Sequence, residues 1–242
     1  VSTLLHQIRY VKSSAEIEKI HYVCQLTSDA FEALPLSLTM GESERVNCKR
    51  FRMDLLERGA DTTPYMVAGS GPGGYDSIIM GPTDRILGEG DVMMIDTGTV
   101  FDGYFCDFDR NFAFGFAGDG LRRAYDVVYA ATDAGFAAAQ PGATTSDIWA
   151  AMWGVMEDGG ALINSGSSVG RLGHGLGIEL TEWPSNTATD GTVLEPGVVL
   201  TLEPGMEFSH GKQMVHEENI VITEDGARYL SNRAPQELPI IS

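Results

Sequence analysis

The chain has 242 residues, 43% of them hydrophobic and 21% charged, and a formal net charge of −18 at pH 7. Those values describe a globular protein of one large or two small domains, whose negative field repels nucleic acid and anionic lipid as partners. No apolar run approaches the roughly 18 residues that a membrane-spanning helix needs, which excludes a helical membrane segment.

The N-terminal stretch VSTLLHQIRYVKSSAEIEKI has neither an initiator methionine nor the apolar core of a signal peptide. Residues 1–12 read as an interdomain linker and 13–242 as one domain, with a further N-terminal domain expected ahead of this chain. The cysteines, Cys24, Cys48 and Cys106, are odd in number and far apart. They form neither a disulfide framework nor a zinc knuckle and suit a reducing, cytoplasmic setting.

Residues 13–36 carry apolar positions at helical spacing behind Ser-Ser-Ala-Glu, a capping pattern. Gly41 separates this unit from a second predicted helix that Gly59 stops. Strand-like runs follow at 65–69 and 91–115, the latter turning at Asp102-Gly103. The order then recurs: a long helix over 120–140, a break at PGATT, and a shorter helix stopped by Gly159-Gly160. Further strand-like runs cover 198–208 and 214–223. Two halves, each a helix pair followed by strands, predict an α+β fold with its site where the strands of the halves meet.

Most acids belong on a solvated surface, but a few lie in strongly apolar surroundings. Asp96 ends VMMID, Asp107 follows GYFC, Glu203 lies in VVLTLEPG and Glu217 precedes ENIVIT. A buried carboxylate without a partner costs several kcal/mol or neutralises itself through a raised pKa. Arginine is scarce nearby, Arg110 and Arg171 being the main candidates. Metal ions hold several acids together better. A single imidazole, His174 in the frame GHGLG, completes an oxygen-rich donor set. Such a set suits Mn²⁺ or Fe²⁺ first, with Co²⁺ and Zn²⁺ possible, and it exceeds the needs of one ion.

Asp96, Asp107 eleven residues on in DGYFCD, His174 in GHGLG, Glu203 in TLEPG and Glu217 in HEENIVIT resemble the pita-bread metallopeptidase family. Its members include methionine aminopeptidase, aminopeptidase P, prolidase and the metal-free creatinase. The likeness runs from KSSAEIEKI through ITEDGARYLS, nearly the whole chain. It implies a pita-bread fold, pseudo-two-fold, in which helices cover a curved antiparallel sheet, so that 13–242 would be the catalytic domain. It also implies two divalent metal ions, a small-molecule or short-peptide substrate and a homodimer. Asp96 would bind one ion, Asp107 and Glu217 would bridge both, and His174 and Glu203 would bind the other. Glu203 would also relay a proton.

The resemblance fails at the substrate-binding positions. Peptidases of the family place a second histidine before a Glu-x-Pro and a third in a loop of the first half. Here Thr181 stands at the first position, and Ile78 or Ile79 at the other; Val215 replaces an arginine expected two residues before Glu217. Loss of one oxyanion donor typically costs about 10²–10³ in rate. A complete ligand set without these donors points to an atypical substrate. The expected function is a metal-dependent hydrolase of a C–N bond, similar to Xaa-Pro aminopeptidase or prolidase. The alternative is a member acting on an osmolyte, resembling ectoine hydrolase or dimethylsulfoniopropionate lyase. A non-enzymatic binding module ranks below both.

Several side chains stay open between chemistry and scaffold. Glu182 is either a base or cation-binding acid, or a rim residue. Tyr75 is a phenol that could replace the missing imidazole, and His210 a turn residue that could fold over the site. His216 should face away from the ligands, His6 and His21 are incidental, and GSGPGG lacks the lysine and context of a phosphate loop.

Overall fold

The computed structural model describes residues 2–162 and 170–242. Helices α1 (Ser2–Tyr10), α2 (Ser14–Ala33) and α3 (Glu44–Glu57) come first. Strands β1 (Thr62–Pro72), β2 (Asp91–Phe101), β3 (Tyr104–Phe105) and β4 (Phe108–Phe114) follow. The order then repeats with α4 (Asp119–Ala138), α5 (Thr145–Asp158), β5 (His174–Gly175), β6 (Glu182–Ser185) and β7 (Val199–Leu202). The chain continues through β8 (Gly205–Ser209), β9 (Lys212–Val215), β10 (Glu218–Thr223), β11 (Gly226–Tyr229) and β12 (Ile240–Ile241). The expected duplication is present, and the fold is α+β.

Local chemistry sets the boundaries. Ser13 caps α2: its Oγ accepts from the Glu16 N–H while the Glu16 carboxylate accepts from the Ser13 N–H. Thr144 and Asp147 build the same box at the start of α5. Asp102 and Gly103 both take positive φ, 48° and 80°, as a tight hairpin with right-handed strand twist requires. The stretch expected as a linker carries α1, which packs on β6 and sets Tyr10 against Trp183 with ring centroids 4.6 Å apart. Just beyond it, the Lys12 N–H donates to the Gly197 carbonyl at 2.9 Å.

The first half builds a sheet in the order β1-β2-β4, with β3 on β2, to which the C-terminal β12 adds beside β4; the second builds β11-β10-β7-β5-β6, and β8 pairs β9. Strand β2 is buried along all but its last residue. Its apolar run alternates between two cores: Val92 and Met94 pack with residues of α4 and α5, Met93 and Ile95 with residues of α2 and α3. Burial on both faces explains why the run is continuous rather than alternating with polar residues. Asp96 continues the Val92–Met94 face, toward the side where the two halves meet.

The runs over 198–208 and 214–223, each expected as one strand, are both broken. The first breaks at Glu203-Pro204, where proline has no N–H for the ladder. The second breaks at His216-Glu217, and the returning strand of the first half breaks at Cys106-Asp107. Three of the five candidate ligands therefore lie at interruptions, where side-chain direction is released from strict alternation.

Candidate metal centre

Asp96 comes from β2, Asp107 from the gap between β3 and β4, His174 from β5, Glu203 from the gap between β7 and β8, and Glu217 from the gap between β9 and β10. Asp107, His174 and Glu217 are only 4%, 3% and 2% exposed, and each offers a ligand atom within 4.8 Å of the other two. His174 Nε2 lies 3.4 Å from Asp107 Oδ2. Asp107 acts electrostatically on Asp96, and Glu203 on His174, Asp96 and Glu217, so both Asp96 and Glu203 join the same group. Glu203 is half-buried, which makes it the member open to solvent.

Burial is the first cause that pushes the carboxyls of Asp96, Asp107 and Glu217 well above the usual range, and it raises Glu203 to about 7. Repulsion among the acids adds to it for Asp96, Glu203 and Glu217, while Arg171 opposes it at Asp107 and Glu203. Burial also lowers the His174 imidazole, against the pull of Glu203. Its Nδ1 lies 2.8 Å from the Gly175 carbonyl; assigned as the donor there, it leaves Nε2 unprotonated toward Asp107.

Asp96 Oδ1, Asp107 Oδ1 and Glu217 Oε1 are buried without a hydrogen-bond partner. Buried carboxylate oxygens without partners, beside an imidazole clustered with two of those acids, form a donor set that a divalent cation satisfies, and the residues fit such a group.

The surroundings hold residues that the sequence did not reveal. The Tyr65 hydroxyl, on β1, hydrogen-bonds Asp96. Alternation could have suggested it, since Val67 is the cross-strand partner of Asp96 and Tyr65 shares its face. The Asn219 side chain clasps the Asp107 backbone: Oδ1 accepts from the Asp107 N–H at 3.0 Å and Nδ2 donates to its carbonyl. No spacing rule points to that residue.

Other candidates take other places. Thr181 is exposed and its Oγ1 accepts from Arg171 Nη2 at 3.3 Å. Glu182 is neither a rim residue nor a solvent-poised base. Its carboxylate pairs with Lys12 at 2.9 Å, both side chains being nearly inaccessible, and accepts from the N–H groups of Ile178 and Glu179. Tyr75 is enclosed; its hydroxyl donates to Asn111 Oδ1 and accepts from the Val215 N–H, so it supplies no donor to a substrate. Ile78 is buried, whereas Ile79 is exposed. His210 stands in solvent on the β8–β9 turn. His216 faces Thr132, Tyr125 and Tyr129, away from the ligands, as its position beside Glu217 predicts.

The model of metallopeptidase family M24 matches residues 18–225, and the chain belongs to that family. An uncharacterised peptidase of Bacillus subtilis, YqhT, is 32% identical over 248 residues, covering 100% of this chain and 67% of its own length. A Xaa-Pro dipeptidase of Pyrococcus furiosus is 28% identical over 240 residues, covering 96% of this chain and 66% of its own. Among solved structures, the prolidase of Pyrococcus horikoshii superposes with a TM-score of 0.90 at 27% identity, covering 98% of this chain and 67% of that one. The chain thus spans roughly two thirds of the length of these relatives, and the superposition establishes the pita-bread architecture. No helix among the described residues is long and apolar enough to cross a membrane.

Proposed function

We propose that this chain is the catalytic part of a metal-dependent hydrolase that cleaves a C–N bond in a small substrate. The observation that carries the reading is that Asp107, His174 and Glu217 bring ligand atoms within 4.8 Å of one another, while buried oxygens of Asp96, Asp107 and Glu217 have no hydrogen-bond partner. Asp96, Asp107, His174, Glu203 and Glu217 would hold two divalent ions, Mn²⁺ or Fe²⁺ by donor chemistry. Ions there supply Lewis acidity, lowering the pKa of water and polarising a carbonyl.

The protein's own residues do the rest. The Gly175 carbonyl fixes the His174 tautomer, and Tyr65 and Asn219 hold Asp96 and Asp107 in place. Glu203, the half-buried member of the group, is suited to take a proton from the attacking water and return it to the leaving nitrogen.

Printed names among the relatives, Xaa-Pro dipeptidase and prolidase, favour a short peptide. The second reading, a small osmolyte, is favoured by the scarcity of imidazole. Of the five histidines in the chain, His174 alone belongs to the group of acids; Thr181, Ile79 and Val215 carry no imidazole or guanidinium. Incubation of Mn²⁺- and Fe²⁺-loaded protein with Xaa-Pro dipeptides, ectoine and dimethylsulfoniopropionate separates the two. Ordinary peptidase rates would overturn the argument for an atypical substrate. Turnover of none of the three classes would count against the hydrolase reading itself.

A further inference from the structure

Asp109, on β4, is 1% exposed and has no place in the donor set described above. It is the antiparallel partner of Asp96 in the β2–β4 register, and partners directly opposite point to the same face. Asp96 and Asp109 therefore share one face of the sheet, and Asp109 lies two residues beyond Asp107 in the chain. Of the neighbouring charges Asp96 acts on it most strongly; Arg110 opposes that effect, and Glu203 and Glu218 add smaller ones. Arg110, its neighbour in sequence, points the other way, giving its guanidinium to Glu218 and to the carbonyls of Asp109, Glu217 and Asn232. Among the described residues no cation is in ion-pair contact with the Asp109 carboxylate.

What holds that carboxylate is an amide, and the amide leads back to the centre. Asn111 Nδ2 donates to Asp109 Oδ1 at 3.4 Å and to the Val215 carbonyl at 2.8 Å. Tyr75 closes the ring, donating to Asn111 Oδ1 at 2.9 Å and accepting from the Val215 N–H at 2.8 Å. Val215 ends the strand immediately before the break that presents Glu217. Asp109 is thus set opposite Asp96 and tied through Asn111 to the segment that aims Glu217.

We propose that Asp109 is a positioning residue of the metal centre: a fifth acid, itself buried, that strengthens cation binding from beside Asp96 without joining the five side chains as a ligand. The inference rests on the metal-binding reading above. A carboxylate enclosed with other acids, and without a paired cation of its own, gains its stabilisation from the field of ions at the neighbouring ligands.

The test is calorimetric titration of the full chain with Mn²⁺ alone, for wild type, Asp109→Asn and Asp109→Ser, with the melting temperature of each metal-free protein. Asparagine keeps shape and removes charge. Both variants are expected to bind Mn²⁺ about 10–100-fold more weakly, the range for loss of a residue that supports ligands. Their metal-free forms are expected to melt no lower than wild type, which a purely structural role would not allow. Mn²⁺ affinity within about twofold of wild type overturns the inference while leaving the metal reading intact. Collapse of both metal-free variants also overturns it, because it makes Asp109 a support of the fold. A wild-type chain that binds no Mn²⁺ removes the metal reading and this inference together.

Discussion

Asn219, the second residue of β10, reaches into the gap before β4 and hydrogen-bonds both the N–H and the carbonyl of Asp107. One side-chain amide therefore joins the two sheets at the point where the centre needs them aligned. Backbone in the gap between β3 and β4 has no ladder partner there, and Asn219 substitutes for one. Asn219→Ala leaves two buried backbone groups unsatisfied, and an expected loss of about 2–4 kcal/mol in urea unfolding follows. Mn²⁺ affinity should fall with it, since Asp107 loses its frame. Unchanged metal affinity in a destabilised variant would confine Asn219 to stability.

Lys12 and Glu182 make a second prediction. Their side chains are 3% and 4% exposed and 2.9 Å apart, joining the second residue beyond α1 to the first residue of β6. Removing one partner of a buried pair typically costs about 3–5 kcal/mol, whereas replacing both with apolar groups is far milder. Lys12→Met should destabilise strongly, and Lys12→Met with Glu182→Leu should recover most of the loss. A double-mutant cycle from thermal melts measures it; additive losses would deny the coupling.

The acids dictate an unusual response to pH in the metal-free protein. Glu203, with an ordinary carboxyl value of 4.5, is raised to about 7 by burial, so between those values the folded chain binds more protons than the unfolded chain. Stability contributed by that proton is complete at low pH and is lost as pH rises toward 7. Asp96, Asp107 and Glu217 are shifted in the same direction and extend the loss upward. Metal-free protein should therefore melt higher near pH 6 than near pH 8. Cations compete with those protons, so the rise in melting temperature on adding Mn²⁺ should be larger at pH 8. Scanning fluorimetry across that range decides it, and a metal-free protein more stable at the higher pH would contradict the burial of the acids.

Glu203→Gln probes proton transfer. The amide keeps size and one oxygen but cannot take a proton. Turnover of whichever substrate the wild type accepts should fall by about 10²–10⁴-fold. Secondary structure by circular dichroism should be unchanged. Retention of wild-type turnover would remove Glu203 from proton transfer.

The donor set was legible because a carboxylate inside an apolar run conflicts with its surroundings, and Asp96, Asp107, Glu203 and Glu217 all stand in such runs. The duplicated order of helices and strands was legible from glycine stops and caps such as Ser13 with Glu16. The supporting residues were not. Tyr65, Asn219, Asp109 and Lys12 acquire meaning only through register and tertiary contact, which spacing along the chain does not encode. Reading Glu182 as a candidate base rested on its neighbour Thr181, and the partner that engages it, Lys12, is 170 positions away. The breaks at Glu203-Pro204 and His216-Glu217 were hidden because the residues around them all have strand character.

The central claim is that cations hold Asp96, Asp107, His174, Glu203 and Glu217 together, and metal stoichiometry tests it most directly. Protein purified with Mn²⁺ supplied, and measured by elemental analysis beside Asp107→Ala and His174→Ala, should carry about two ions per chain in the wild type and markedly fewer in either variant. Wild-type protein free of metal after that treatment, or variants that retain the full complement, would contradict the account.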